Sequence, residues 1–154
     1  MHAPLSLFLA GPDETDRLAA TLAPLLTAGD VLLMSGPIGA GKSQVARALI
    51  RARLGRMEEV PSPSFTLVQT YPDDPDIWHA DLYRLSHPDE VLELGLDEAF
   101  ATAICLVEWP DRLGRLAPPD ALTLTLSTEA EGRRAQLGLR PALRAAVVAA
   151  WADR

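Results

Sequence analysis

The chain has 154 residues, of which 48% are hydrophobic and 23% charged, and its formal charge is −7. That length suits one packed domain, taken here as residues 1–154, and the mixture of apolar and polar stretches excludes a disordered or low-complexity chain. The acidic balance argues against a self-sufficient RNA or DNA binder, because a nucleic-acid backbone demands clustered Lys and Arg.

SLFLA, residues 6–10, reads as a first strand, and Asp13 in GPDET as the cap of a helix carried by RLAATLAPLL. VLLMSG is a continuous apolar run that suits a strand covered on both faces. KSQVARALIRARLG comes next as a helix that presents Val45, Ala48, Leu49 and Ala52 on one face and ends at Gly55. Arg47, Arg51, Arg53 and Arg56, recurring at close spacing along and just after it, read as a solvated face, and no ligand is assigned to them.

TLVQTY and IWHADLYRL, on either side of the acidic turn PDDPD, read as two strands of an antiparallel insertion. HPDEVLELGLDEAFA supplies one or two short helices with Pro88 at an early position, and AICLVEW is a second apolar strand, ending in Glu108. ALTLTLST and RRAQLGL alternate with period two around AEG and predict a late hairpin, before a closing helix in PALRAAVVAAWADR. The order predicts an α/β fold in three layers, its mixed sheet having a parallel core and antiparallel strands.

Cys105 lies within AICLV, where a small buried thiol is the ordinary occupant, and a lone cysteine cannot form an internal disulfide. LSLFLA is a short apolar run without a basic leader, and nowhere do about 18 uncharged apolar residues follow one another. Reducing, cytoplasmic surroundings are therefore expected.

The most specific local signal is Gly36, Pro37, Ile38, Gly39, Ala40, Gly41, Lys42 and Ser43, which fits G-x-x-x-x-G-K-[ST] between a predicted strand and a predicted helix. Glycines let successive N–H groups turn inward toward a phosphate, and the helix N-terminus adds partial positive charge. Lys42 is the only lysine in a chain whose other cationic side chains are arginines. A compact ammonium fits between β- and γ-phosphates, where a planar guanidinium would displace loop or nucleotide. Ser43 offers a hydroxyl to Mg²⁺. Guanine-specific GTPases use N-K-x-D, and this sequence contains no asparagine, so ATP is the expected nucleotide.

Glu108 should emerge at a strand's carboxyl end beside the loop, placed to hold a magnesium-bound water or orient the attacking one. Alternation puts His79 and Asp81 on one strand face, which leaves Asp81 either a functional acid or a half-exposed surface residue. Trp109 reads equally as a stacking platform or as packing. His2, His79 and His87 form no ligand spacing with Cys105, and no transition-metal site is expected.

GPIGAGKS, SPSFTLVQTY, HADLYRL and ICLVEWPDR, in this order and spacing, resemble the motifs of the TsaE (YjeE) family of bacterial ATPases. The likeness runs from about Pro12 to Arg133. It implies the P-loop NTPase fold and a weak Mg²⁺-dependent ATPase, stimulated by partner proteins, that is not itself a transferase. The protein would dock on TsaD and TsaB and permit repeated formation of threonylcarbamoyladenosine (t6A) at adenosine 37 of ANN-decoding tRNAs, meeting tRNA only through that complex. It maps magnesium onto Ser43 and Glu108, an essential acid onto Asp81 and a role onto Trp109. Lys42, Asp81 and Glu108 are thus the catalytic candidates. Nucleotide contacts fall on the loop, on Asp13, Glu14 and Thr15, and on Gly132 and Arg133, and the SPSF segment, residues 62–65, resembles a switch region. The family usually has Asp where this chain has Pro37, and often Thr where it has Ser43 and Ser64.

Two other classes remain open. A small-molecule P-loop kinase would need a lid of arginines, for which Arg112, Arg115, Arg133 and Arg134 could be cast. A nucleotide-gated binding module would need occupancy without hydrolysis.

Overall fold

The computed structural model describes residues 4–63 and 65–152. Its strands are β1 (Leu5–Leu9), β2 (Val31–Ser35), β3 (Val68–Tyr71), β4 (Ile77–Asp81), β5 (Ile104–Glu108), β6 (Leu122–Glu129) and β7 (Gly132–Gly138). Its helices are α1 (Pro12–Leu22), α2 (Lys42–Leu54), α3 (Glu90–Glu93), α4 (Leu96–Thr102) and α5 (Pro141–Ala152). The strands form one seven-stranded sheet in the order β1-β7-β6-β2-β5-β4-β3. β6, β2, β5 and β4 run parallel at its centre, and β7, β1 and β3 add antiparallel edges.

Alternation along each strand sorts the core into two layers. Leu32 and Met34 of β2, with Ile104 and Leu106 of β5, pack toward α1, α2 and α5. Val31, Cys105 and Val107 turn the other way, against α3 and α4. β2 and β5, covered on both sides, are nearly continuous apolar runs, whereas β6 alternates buried Leu122, Leu124 and Leu126 with exposed Thr123 and Thr125. The three-layer expectation holds, and Cys105 is fully buried.

Several local expectations are corrected. Asp13 does not cap α1: Pro12 takes the first helical position and the extended Gly11 precedes it, so Asp13 lies inside the first turn. The Gly11 carbonyl accepts from the Glu14 N–H at 3.0 Å. The hairpin of β3 and β4 is not an insertion, because β4 pairs in parallel with β5 and belongs to the central sheet. β4 also stops at Asp81, where the carboxylate accepts the Tyr83 N–H at 3.0 Å and the Leu85 N–H bonds back to Leu82 in a turn.

Helix α2 does end at Gly55, which takes a left-handed conformation and donates its N–H to Arg51. Its buried face, however, is Val45, Ala46, Leu49 and Ile50, while Ala52 is exposed. Nor are its arginines simply solvated. Arg51 donates to the Glu58 carbonyl at 2.9 Å, and Arg53 to the carbonyls of Ala23 and Leu26 and to Asp73. These bonds tie the outgoing loop, the end of α1 and the β3–β4 turn to α2. A 3-10 segment, Pro110–Leu116, had no counterpart in the sequence pattern. Of the closing helix, residues 153 and 154 lie outside the described residues, as do His2 and Ser64.

Candidate functional site

The carboxyl ends of β2, β5 and β4 open into a cleft of about 430 Å³, the usual ligand position in an open α/β sheet. One wall is the loop between β2 and α2. Gly36 has φ 146°, and a Cβ there would lie 2.5 Å from the Leu126 carbonyl oxygen, so a residue without a side chain is required. Gly39 and Gly41 also have positive φ, and the Ala40 N–H closes a turn onto the Pro37 carbonyl at 3.1 Å. The loop delivers its chain into the first turn of α2, where unpaired N–H groups and the helix dipole attract an anion.

Lys42 is buried at the mouth of this loop. Its ammonium donates to the carbonyls of Gly36 and Pro37 and lies 3.9 Å from the centre of the Trp109 ring. Burial pulls its pKa below the ordinary lysine value, while the carboxylates of Glu108, Asp81 and Asp111 act in the opposite sense.

The facing wall is acidic. Parallel pairing sets Asp81 of β4 directly beside Glu108 of β5, and both are buried. Ser43 Oγ donates to Glu108 Oε1 at 2.9 Å, and His79 Nε2 meets Glu108 Oε2 at 2.7 Å. Trp109 has φ 59° and its ring centre lies 5.0 Å from that of Tyr83. A hydroxyl and a carboxylate at this separation are hard oxygen donors of the kind Mg²⁺ takes together with substrate phosphates, so the residues present fit that ion.

Arg133, on β7, reaches the loop from behind. Its Nε donates to the Ala40 carbonyl at 2.7 Å and its Nη2 to the Gly39 carbonyl at 3.2 Å. Gly132 lets β7 approach β1, since a Cβ there would lie 2.4 Å from the Leu9 carbonyl oxygen.

Ile38, Gly39, Gly41, Lys42 and Ser43 line the cleft, with Asp81, Glu108, Trp109 and Arg133. Gly36, Ala40 and Gly132 support it through the contacts above. Asp13, Glu14 and Thr15 do not line it; they form the first turn of α1, where Thr15 is buried. Of the four arginines cast as a kinase lid, only Arg133 lines the cleft, and Arg134 pairs with Glu129 at 2.7 Å. From the SPSF segment, Ser62 lines the cleft, and Phe65 stands exposed with the Arg84 guanidinium 4.6 Å from its ring centre.

Sequence reasoning assigned nothing to Gln44, Tyr83 and Arg84, which also line the cleft, or to the contact of His79 with Glu108. The shared strand face of His79 and Asp81 was a signal for the last. What it lacked was the register that brings β5 alongside.

A sequence profile of the family described as "Threonylcarbamoyl adenosine biosynthesis protein TsaE" matches residues 9–136. The chain is 37% identical over 129 residues to the tRNA threonylcarbamoyladenosine biosynthesis protein TsaE of Rickettsia felis, covering 83% of this chain and 75% of that one. It is 34% identical over 125 residues to the protein of the same name from Bacillus subtilis, covering 80% and 77%. The crystal structure of Bacillus subtilis YdiB is similar with a TM-score of 0.77 and 25% identity, covering 99% of each chain. Glycine loop, acidic wall, profile and relatives agree: the chain belongs to the TsaE family of tRNA threonylcarbamoyladenosine biosynthesis.

Proposed function

We propose that this chain, acting as one domain, binds ATP with magnesium in the cleft and hydrolyses it weakly, and that its ATP cycle on a TsaD–TsaB complex permits repeated t6A formation at adenosine 37 of ANN-decoding tRNAs. The observation that carries the ATPase reading is the meeting of Ser43, on the loop side, with Glu108, on the strand side, at 2.9 Å. The pathway comes from the family, and the formal net charge of −7 accords with leaving tRNA to other proteins. A cytoplasmic location is part of the same proposal; among the described residues no helix is long and apolar enough to cross a membrane.

In this reading the loop N–H groups donate to the phosphates, and Lys42 exchanges the Gly36 and Pro37 carbonyls for phosphate oxygens. Ser43 and Glu108 would hold the magnesium ion, which when bound neutralises phosphate charge. Asp81, beside Glu108, orients the attacking water, and Trp109 packs over the Lys42 ammonium and restrains it. Arg133 holds the loop through the Gly39 and Ala40 carbonyls. Asp13, Glu14 and Thr15 reach the nucleotide only if it extends beyond the cleft toward α1.

The test is co-purification with TsaD and TsaB in ATP, in ADP and without nucleotide, using native protein and Lys42→Ala. Nucleotide-dependent capture of native protein that Lys42→Ala abolishes is the expected result. Equal capture under every condition, with no partner-stimulated ATP hydrolysis, would overturn it.

A further inference from the structure

The Glu108 carboxylate has a partner on each oxygen, and one of them stands outside the cleft lining. Oε1 accepts from Ser43, whereas Oε2 is held by His79, a residue 1% exposed on the α2-facing side of β4. Ile77, two residues earlier on that side, belongs to the apolar core, and His79 itself is paired with Leu106 of β5 and Gln69 of β3. An imidazole in an apolar layer is costly unless its polar atoms are satisfied. Here Nε2 is satisfied by Glu108, and Nδ1 is buried with no hydrogen-bond partner among the described residues.

That asymmetry selects a tautomer. With the proton on Nε2, the ring donates to the carboxylate and leaves at Nδ1 only a bare lone pair. With the proton on Nδ1, an unbonded N–H would be buried instead, the less common and more costly orphan. The same argument disfavours a Glu108 that donates its own proton to Nε2, since Nδ1 would then have to carry the hydrogen.

We propose that His79 is a positioning residue: its Nε2–H fixes the Glu108 carboxylate from behind, so that Oε1 stays beside Ser43 Oγ ready for magnesium. This rests on the reading that Ser43 and Glu108 take the ion of a bound nucleotide. A carboxylate on three rotatable bonds would otherwise have to be ordered at the moment of binding, and groups behind a ligand that fix its orientation typically change metal affinity about 10–100-fold when lost.

The experiment is titration calorimetry with a non-hydrolysable ATP analogue, in magnesium and in EDTA. The proteins are native, His79→Leu, His79→Gln, Glu108→Gln and the double variant His79→Leu/Glu108→Gln. His79→Leu should bind about tenfold more weakly than native in magnesium and within about twofold of native in EDTA. His79→Gln, which returns an N–H donor, should recover most of the loss. In the Glu108→Gln background, His79→Leu should add nothing. If His79→Leu keeps the native gain from magnesium, or its loss persists in EDTA or without the Glu108 carboxylate, the positioning role is wrong while the magnesium reading stands. If native protein gains nothing from magnesium, both fall together. Should His79→Leu fail to fold, ¹⁵N NMR of the native histidine decides: a neutral ring protonated on Nε2 supports the proposal, and protonation on Nδ1 overturns it.

Discussion

The two walls of the cleft are built in opposite ways. The glycine loop is local: every group from Gly36 to Ser43 is contiguous in the chain, and its shape comes from backbone conformations that glycine permits. The acidic wall is assembled from Asp81 and Glu108 on separate strands, with His79 behind, and exists only because β4 and β5 pair in one register. The loop therefore depends on residue type at fixed positions, and the wall on the sheet. Substitutions should separate the two, with the loop governing nucleotide binding in the absence of metal and the wall governing the gain from magnesium and hydrolysis.

The largest expected effect is on the loop side. Lys42→Ala removes the ammonium that lines the cleft and should weaken ATP binding about 100-fold or more, equivalent to about 3 kcal/mol. Lys42→Arg should recover little, because a planar guanidinium cannot occupy the space between the Gly36 and Pro37 carbonyls and the Trp109 ring, 3.9 Å away. Calorimetry with Mg-ATP checks both, and an arginine variant with native affinity would contradict the point-charge account.

On the acidic wall, Glu108→Gln keeps shape and removes charge. Hydrolysis should fall about 100-fold, while nucleotide affinity in EDTA stays within about threefold of native. Single-turnover hydrolysis beside equilibrium binding provides the comparison. If t6A formation in a reconstituted reaction is unimpaired although hydrolysis is lost, the gating role replaces the ATPase role.

A third contrast lies within the loop and concerns stability. Gly36→Ala drives a Cβ to 2.5 Å from the Leu126 carbonyl oxygen and should cost roughly 2–3 kcal/mol in urea unfolding. Gly39→Ala meets nothing within 4 Å and carries only its φ of 85°, for about 1 kcal/mol. Equal losses would mean that backbone strain, and not the approach of β6, sets the requirement for glycine.

These contrasts also mark what was legible in the sequence. The loop, Glu108 at a strand end and the Gly55 stop of α2 could all be read because each is stated by neighbours in the chain. The parallel partner of β4 could not, because period two fixes which side chains share a face but not which strand lies alongside. The roles of Arg51 and Arg53 were hidden for a similar reason. Their spacing describes an exposed helix face, while the carbonyls they bind belong to segments that only packing brings near. Asp13 was misread because two capping signals compete at Gly11 and Pro12, and the ring of Pro12 fixes the start of the helix.

The smallest expected effect at neutral pH concerns β5, whose two faces repeat the contrast between site and scaffold. Glu108 faces the cleft, whereas Cys105 turns toward α3 and α4, and burial pushes its thiol up from 9.0 to about 12. A thiol raised on folding keeps its proton in the folded chain after the unfolded chain has lost it. Its contribution to stability is therefore complete below pH 9 and is lost as pH climbs toward 12, at about 1.4 kcal/mol per pH unit within that window. Cys105→Ala should flatten the alkaline limb of the stability curve by that slope, at a cost of about 1 kcal/mol at neutral pH from the small cavity. Native protein should resist alkylation at pH 8 until urea exposes the thiol. Rapid alkylation of the folded chain would mean that the layer beneath α3 and α4 opens readily, and that the scaffold fixing the register of Asp81 and Glu108 is looser than its burial implies.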